Sequence, residues 1–173
     1  MENVLAVSIL SSCYLVLLLS YKLEVYMKEK VILLVEDNPS DIALTKRALE
    51  KGCIANKMVV IEDGKAALEY LKCTGKYSTR DKNDWPTVVL LDIKLPFLDG
   101  HEVLKEIRKD PVLHRLPVVM MTSSKEETDV AKSYDQGVNS FIRKPVDSVQ
   151  FSEAIKTLGL YWLVINEPPP STK

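Results

Sequence analysis

The stretch Val31-Ile32-Leu33-Leu34-Val35-Glu36-Asp37-Asn38-Pro39-Ser40-Asp41 decides the fold. Five consecutive apolar residues, bounded at once by charge, suit a short strand buried on both faces. Glu36 and Asp37 follow it directly. Asn38 then has the chemistry of a helix N-cap, Pro39 of a first helical residue and Asp41 of a first-turn acid. A doubly buried strand that turns straight into a helix is one unit of a parallel sheet covered by helices.

The pattern repeats outward along the chain. The first helix is predicted to stop near Gly52. Met58-Val59-Val60-Ile61 forms the second strand, and Asp63 caps a short helix through Leu71. Residues 73–86 are polar and turn-rich, a longer loop than the unit needs. Thr87-Val88-Val89-Leu90-Leu91 is the third strand. Asp99 with Glu102 has the spacing of a capping box for a helix through Lys109. Pro117-Val118-Val119-Met120-Met121 is the fourth strand, opened by a proline where strands tolerate one. Ser124 with Glu127 caps a helix ending at Gly137. Ser140-Phe141-Ile142-Arg143 is the fifth strand, and Asp147 with Gln150 opens the last helix. Five such units predict an α/β fold, a (βα)5 doubly wound parallel sheet with helices on both faces.

Sheets of this kind bind ligands beyond the C-terminal ends of their strands. Those ends carry Glu36 and Asp37 after the first strand, Asp92 at the third, Thr122 at the fourth and Lys144 at the fifth. Singly, each is as well read as a solvated turn or a cap. Together they set three carboxylates, a hydroxyl and an ammonium on one rim. Clustered carboxylates repel one another and suit a hard cation with oxygen ligands, Mg²⁺ above all. A carboxylate beside such an ion can act as a nucleophile toward phosphorus. Phosphoryl transfer then needs mainly positioning and charge neutralisation, which a metal on one side and Lys144 on the other would supply.

Val35-Glu36-Asp37-Asn38-Pro39, Leu90-Leu91-Asp92-Ile93-Lys94-Leu95-Pro96 with Asp99-Gly100, Met121-Thr122-Ser123-Ser124 and Lys144-Pro145 resemble the receiver domains of two-component response regulators. The resemblance covers about residues 30 to 160. It implies the flavodoxin-like receiver fold with strand order 2-1-3-4-5. It implies that Asp92 is the phospho-acceptor and that Thr122 and Lys144 contact the phosphoryl group. It implies a Mg²⁺ site made of Glu36, Asp37, Asp92 and the backbone carbonyl of Lys94. Phe141 matches the aromatic whose rotamer reports the active state, and the Lys144–Pro145 bond is expected to be cis. The partner implied is a sensor histidine kinase. The loop before Trp85-Pro86, the segment from Arg108 to Pro117 and the tail Tyr161-Trp162-Leu163 are similar to single-domain regulators related to those serving bacterial phytochromes. Lys94, two residues after the acceptor, departs from the smaller or neutral side chains common there and puts the rate of phosphoryl hydrolysis in doubt.

Other readings fit less well. Asp92-Ile93-Lys94 lacks the second acid of a haloacid-dehalogenase-type phosphatase. A flavodoxin-like cofactor protein would need a hydroxyl- or glycine-rich loop after the first strand, where Glu36 and Asp37 would repel phosphate. His101 is read as a first-turn helix residue and His114 as a loop residue, since a phospho-donor histidine needs a four-helix context. The reading is therefore a phospho-acceptor that assists its own chemistry rather than a conventional enzyme. The alternative is a phosphorylation-independent binding module that uses its C-terminal surface.

Composition agrees with a globular core: 173 residues, 46% apolar and 27% charged. With 23 basic against 24 acidic residues there is no basic footprint for nucleic acid. Cys13, Cys53 and Cys73 are odd in number and widely spaced, which speaks against a disulfide framework or zinc site and for a reducing cytosol. Residues 27–160 form the receiver domain in this reading, followed by a tail at 161–173 that is apolar and then proline-rich. Residues 4–21 carry no charge and would span roughly 27 Å as a helix. Residues 1–26 are read either as a membrane anchor or as sequence translated upstream of a natural start at Met27. Lys22, Lys28 and Lys30 leave the domain cytoplasmic either way. Phe151, Ile155, Leu158, Trp162 and Ile165 recur at helical spacing, an apolar stripe running beyond what the sheet is expected to cover. The expectation is a homodimer through the last helix and tail; folding back onto the same domain is the alternative.

Overall fold

A computed structural model of the chain describes residues 30–52, 56–123, 127–144 and 147–167. Its elements run β1 (Ile32–Val35), α1 (Pro39–Lys51), β2 (Met58–Ile61), α2 (Gly64–Lys72), β3 (Val88–Asp92), α3 (Gly100–Lys109), β4 (Val118–Thr122), α4 (Glu127–Asp135), β5 (Ser140–Arg143) and α5 (Ser148–Leu160). The five strands pair in parallel in the order β2-β1-β3-β4-β5. Every residue of β1, β3 and β4 is buried, as their unbroken apolar runs require.

Local chemistry sets the helix starts. The Asn38 side chain accepts the Ser40 N–H at 2.9 Å, and Asp63 accepts the Ala66 N–H at 2.6 Å. Asp99 and Glu102 close a reciprocal capping box: the Glu102 N–H donates to Asp99 at 2.9 Å and the Asp99 N–H to Glu102 at 3.1 Å. Asp147 caps α5 through the Val149 N–H. The expected Ser124 cap, the isomer of the Lys144–Pro145 bond and the apolar segment 4–21 lie outside the described residues. Among the described residues no helix is long and apolar enough to cross a membrane.

Alternation along the strands divides the core between the two faces. Leu33, Val35, Val89, Leu91, Val118 and Met120 pack with α2 and α3. Ile32, Leu34, Val88, Leu90, Val119 and Met121 pack with α1 and α5. Strands β3 and β4 each start and end one residue later than their apolar runs. Asp92 pairs with Met121 and Thr122 with Arg143, so both polar residues are the last members of their strands rather than loop residues.

Two elements depart from simple periodicity. Helix α4 has Ser133 as its one buried residue and leaves Tyr134 more than half exposed, so little apolar contact holds it. At the other extreme, α5 continues into a π-helical turn, Tyr161–Ile165. Its wider spacing, marked by the Asn166 N–H donating to the Tyr161 carbonyl at 2.7 Å, turns Leu163 inward, five residues after Leu158. Phe151, Ile155, Leu158, Trp162 and Leu163 are all buried in the α1–α5 core, and Lys30 donates to the Leu163 carbonyl. Of the apolar stripe, Ile165 alone is exposed, together with Leu160, Tyr161 and Val164 beside it.

Candidate functional site

The strand ends gather their polar residues around one ammonium. Lys144 follows β5, and its N–H donates to the Thr122 carbonyl at 2.7 Å, which fixes the lysine beside the end of β4. Lys144 Nζ reaches back across the sheet to Glu36 Oε2 at 2.5 Å, Asp92 Oδ1 at 2.8 Å and Asp41 Oδ2 at 2.9 Å. The second oxygen of Asp92 accepts the Lys94 N–H at 2.7 Å, and the second oxygen of Glu36 accepts the Asn38 N–H at 3.2 Å. Glu36, Asp92 and Thr122 are each no more than 5% exposed, whereas Asp37 faces solvent.

Too much negative charge lies here for one lysine. Burial holds the carboxyls of Asp92 and Glu36 above their ordinary range, although each is hydrogen-bonded to Lys144, and Asp37 repels Asp92 further. Burial would pull Lys144 down, but its bonds to Asp92, Glu36 and Asp41 more than reverse this and raise it. The ammonium is therefore the fixed charge, and the carboxylates carry the excess.

All the residues expected from the sequence lie at this rim. Glu36, Asp92 and Lys144 are in direct contact; Thr122 ends the neighbouring strand; Asp37 follows Glu36 at its solvent side. Phe141 is half-buried against the α2–α3 core, on the strand that leads to Lys144. The Lys94 side chain is exposed while its N–H holds Asp92. Asp41 was not foreseen as a site residue. Its signal was available, because a first-turn side chain leans toward the helix N-terminus and so toward the strand ends.

Glu36, Asp37 and Asp92 are oxygen donors of the kind that suits a hard divalent cation, with excess charge to neutralise. As arranged here Lys144 takes up the two buried carboxylates, and among the described residues no three acidic, histidine or cysteine groups are set to hold a metal ion. A metal would have to displace Lys144 from Glu36 and Asp92.

Residues 32–156 match the family model described as the response regulator receiver domain. The chain belongs to the response regulator receiver family. Receivers are the phospho-acceptor signalling modules of two-component systems. The chain is 37% identical over 134 residues to Response regulator Rcp1 of Synechocystis sp., spanning 78% of this chain and 89% of that protein. The Mn²⁺-bound structure of Rcp1 aligns with 36% identity and TM-score 0.75, covering 82% of this chain and 99% of that one. The phosphorylated cyanobacterial phytochrome response regulator RcpA aligns with 39% identity and TM-score 0.76, over 82% and 99%. The bacteriophytochrome response regulator AtBRR is 53% identical with TM-score 0.64, over 80% and 98%. The likeness to phytochrome-related regulators seen in the loops and tail thus extends over about four-fifths of this chain.

Proposed function

We propose that this receiver takes a phosphoryl group on Asp92 from the phosphohistidine of a sensor histidine kinase, in the cytoplasm, and signals through contacts that depend on that group. The observation that carries this reading is the seat of Asp92. It is a buried carboxylate at the end of the central strand, with one oxygen on Lys144 and the other on the Lys94 N–H. Attack by an Asp92 oxygen forms an O–P bond as the donor's P–N bond breaks, and the electron pair leaves on the imidazole nitrogen. Lys144, in contact with Asp92, and Thr122, at the end of the neighbouring strand, would supply donors to the transferred oxygens. Glu36, Asp37, Asp92 and the Lys94 carbonyl would hold Mg²⁺, which when bound neutralises phosphoryl and carboxylate oxygens. Added charge of roughly −2 would then bias the Thr122 loop, the lightly held α4 and Phe141. Likeness over 80–82% of this chain to proteins described as phytochrome and bacteriophytochrome response regulators supports a phytochrome-like kinase as donor.

The test is incubation with a small-molecule phosphodonor and Mg²⁺, followed by intact-mass measurement. Wild type should gain one phosphoryl mass and Asp92→Asn none. Asp37→Ala should weaken Mg²⁺ binding at least about tenfold, as loss of a charged ligand does. A wild type without added mass removes the reading.

Hydrolysis should be slow, because the exposed Lys94 offers no acid or amide to orient attacking water. Lys94→Asn is expected to shorten the phospho-Asp92 half-life several-fold. An unchanged decay, followed by mass, would clear Lys94 of that role.

We also propose a homodimer through the end of α5. Its support is the exposed apolar row Leu160, Tyr161, Val164 and Ile165, left uncovered after Trp162 and Leu163 turn inward. Sedimentation should give a dimer for wild type and a monomer for Tyr161→Glu with Ile165→Glu. Equal masses for the two would mean that this row does not mediate association.

A further inference from the structure

An ammonium has three N–H groups, and Lys144 directs them at three carboxylates. Two of these, Glu36 and Asp92, are the residues expected to turn toward a divalent cation. The third, Asp41, belongs neither to the metal set nor to the phosphoryl chemistry. It stands in the first turn of α1 and reaches Lys144 across 103 positions of sequence. Its side chain is 32% exposed, against 2% for Glu36 and 7% for Asp92, so of the three it keeps the most contact with water.

We propose that Asp41 is a positioning residue: it keeps hold of Lys144 when Glu36 and Asp92 turn to the metal, so that the ammonium stays at the rim to meet the phosphoryl group. This role presupposes the metal-assisted acceptor site described above. A cation entering between Glu36 and Asp92 must take both from Lys144. With Asp41 present, the ammonium swings on one retained charge-assisted bond. With Asp41 removed, displacement strands a largely buried ammonium without an anion, and the cation competes at a disadvantage. Asp41 thereby acts on metal affinity through Lys144 and not by its own charge at the metal.

A double-mutant cycle on Mg²⁺ affinity separates the two routes. Mg²⁺ alone is titrated calorimetrically into wild type, Asp41→Ala, Lys144→Ala and the double variant, with thermal melts to confirm folding. Asp41→Ala should weaken Mg²⁺ binding about fivefold when Lys144 is present and less than about twofold when it is absent. Asp41→Asn, which keeps an oxygen acceptor and the turn, should fall between wild type and Asp41→Ala and replaces the alanine variant if that one fails to fold. Equal losses in both lysine backgrounds would assign the effect to charge alone and overturn the role, as would no loss in either. A wild type that binds no Mg²⁺ overturns the role and the metal site together. A wild type that binds Mg²⁺ but gains no phosphoryl mass removes the acceptor reading while leaving the coupling to be decided by the titration.

Discussion

Gly100→Ala is expected to destabilise the protein by about 3 kcal/mol or more, the upper range for an atom forced into a packed site. Gly100 opens α3, where alanine would ordinarily gain about 1 kcal/mol over glycine by helix propensity. Here a methyl group would stand 2.2 Å from the Asp92 carbonyl oxygen and 2.9 Å from the Ile93 Cα. These are backbone atoms at the end of β3 and the start of the loop after it, so no side-chain rotation relieves the clash. The Gly100 N–H donates to the Ile93 carbonyl at 2.9 Å and draws helix and loop together at this point. Gly64 grips the other end of the same loop, where a methyl would lie 2.0 Å from the Leu98 carbonyl oxygen. The loop that follows Asp92 is thus clamped between the starts of α2 and α3. Urea unfolding should show a lower midpoint for Gly100→Ala, and phosphorylation by a small donor should slow because the Asp92 backbone is what must move. A midpoint equal to wild type would mean that the loop yields freely and is not clamped.

Arg108→Ala should cost about 3 kcal/mol, the sum expected for several hydrogen bonds from a charged donor discounted for partial exposure. The guanidinium donates to the carbonyls of Gly137 at 2.8 Å, His114 at 3.1 Å and Leu116 at 2.9 Å, and to Asn139 Oδ1 at 2.8 Å. Asn139 Oδ1 also accepts the Val118 N–H at 2.8 Å, at the start of β4. One side chain thereby ties the end of α3 to the entries of both β4 and β5. Among the described residues no carboxylate forms an ion pair with it, and burial pushes the guanidinium down from its ordinary value. Arg108→Lys should recover less than half of the loss, because a point ammonium cannot span the fork of acceptors. Denaturant midpoints for the two variants decide this. A loss below about 1 kcal/mol for alanine would reduce the cluster to ordinary surface contacts.

The sequence by itself determined the element order, the described caps and the strand-end members of the acidic rim. All three are local properties. Apolar runs of strand length set β1 to β5, and Asn38, Asp63, Asp99 and Asp147 each satisfy N–H groups within three residues. A residue at a strand's C-terminal end is on the rim whatever the angles of the helices, so Glu36, Asp37, Asp92, Thr122 and Lys144 could be placed without coordinates.

Tertiary structure alone decided what depends on how remote helices dock. Asp41 was legible as a first-turn acid, but its bond to Lys144 needed the relative placement of α1 and β5. His101, read as a helix residue, proved 3% exposed, with Nδ1 3.3 Å from Gln136 Oε1 and Nε2 3.7 Å from Asp129 on α4. Nothing near His101 in sequence announces α4 above it. The apolar stripe of α5 was legible, yet a helix of constant pitch puts Ile165 inward and the π turn puts Leu163 there instead. Periodicity assumes one pitch, and only packing against α1 and the sheet, with Lys30 on the Leu163 carbonyl, selects the other.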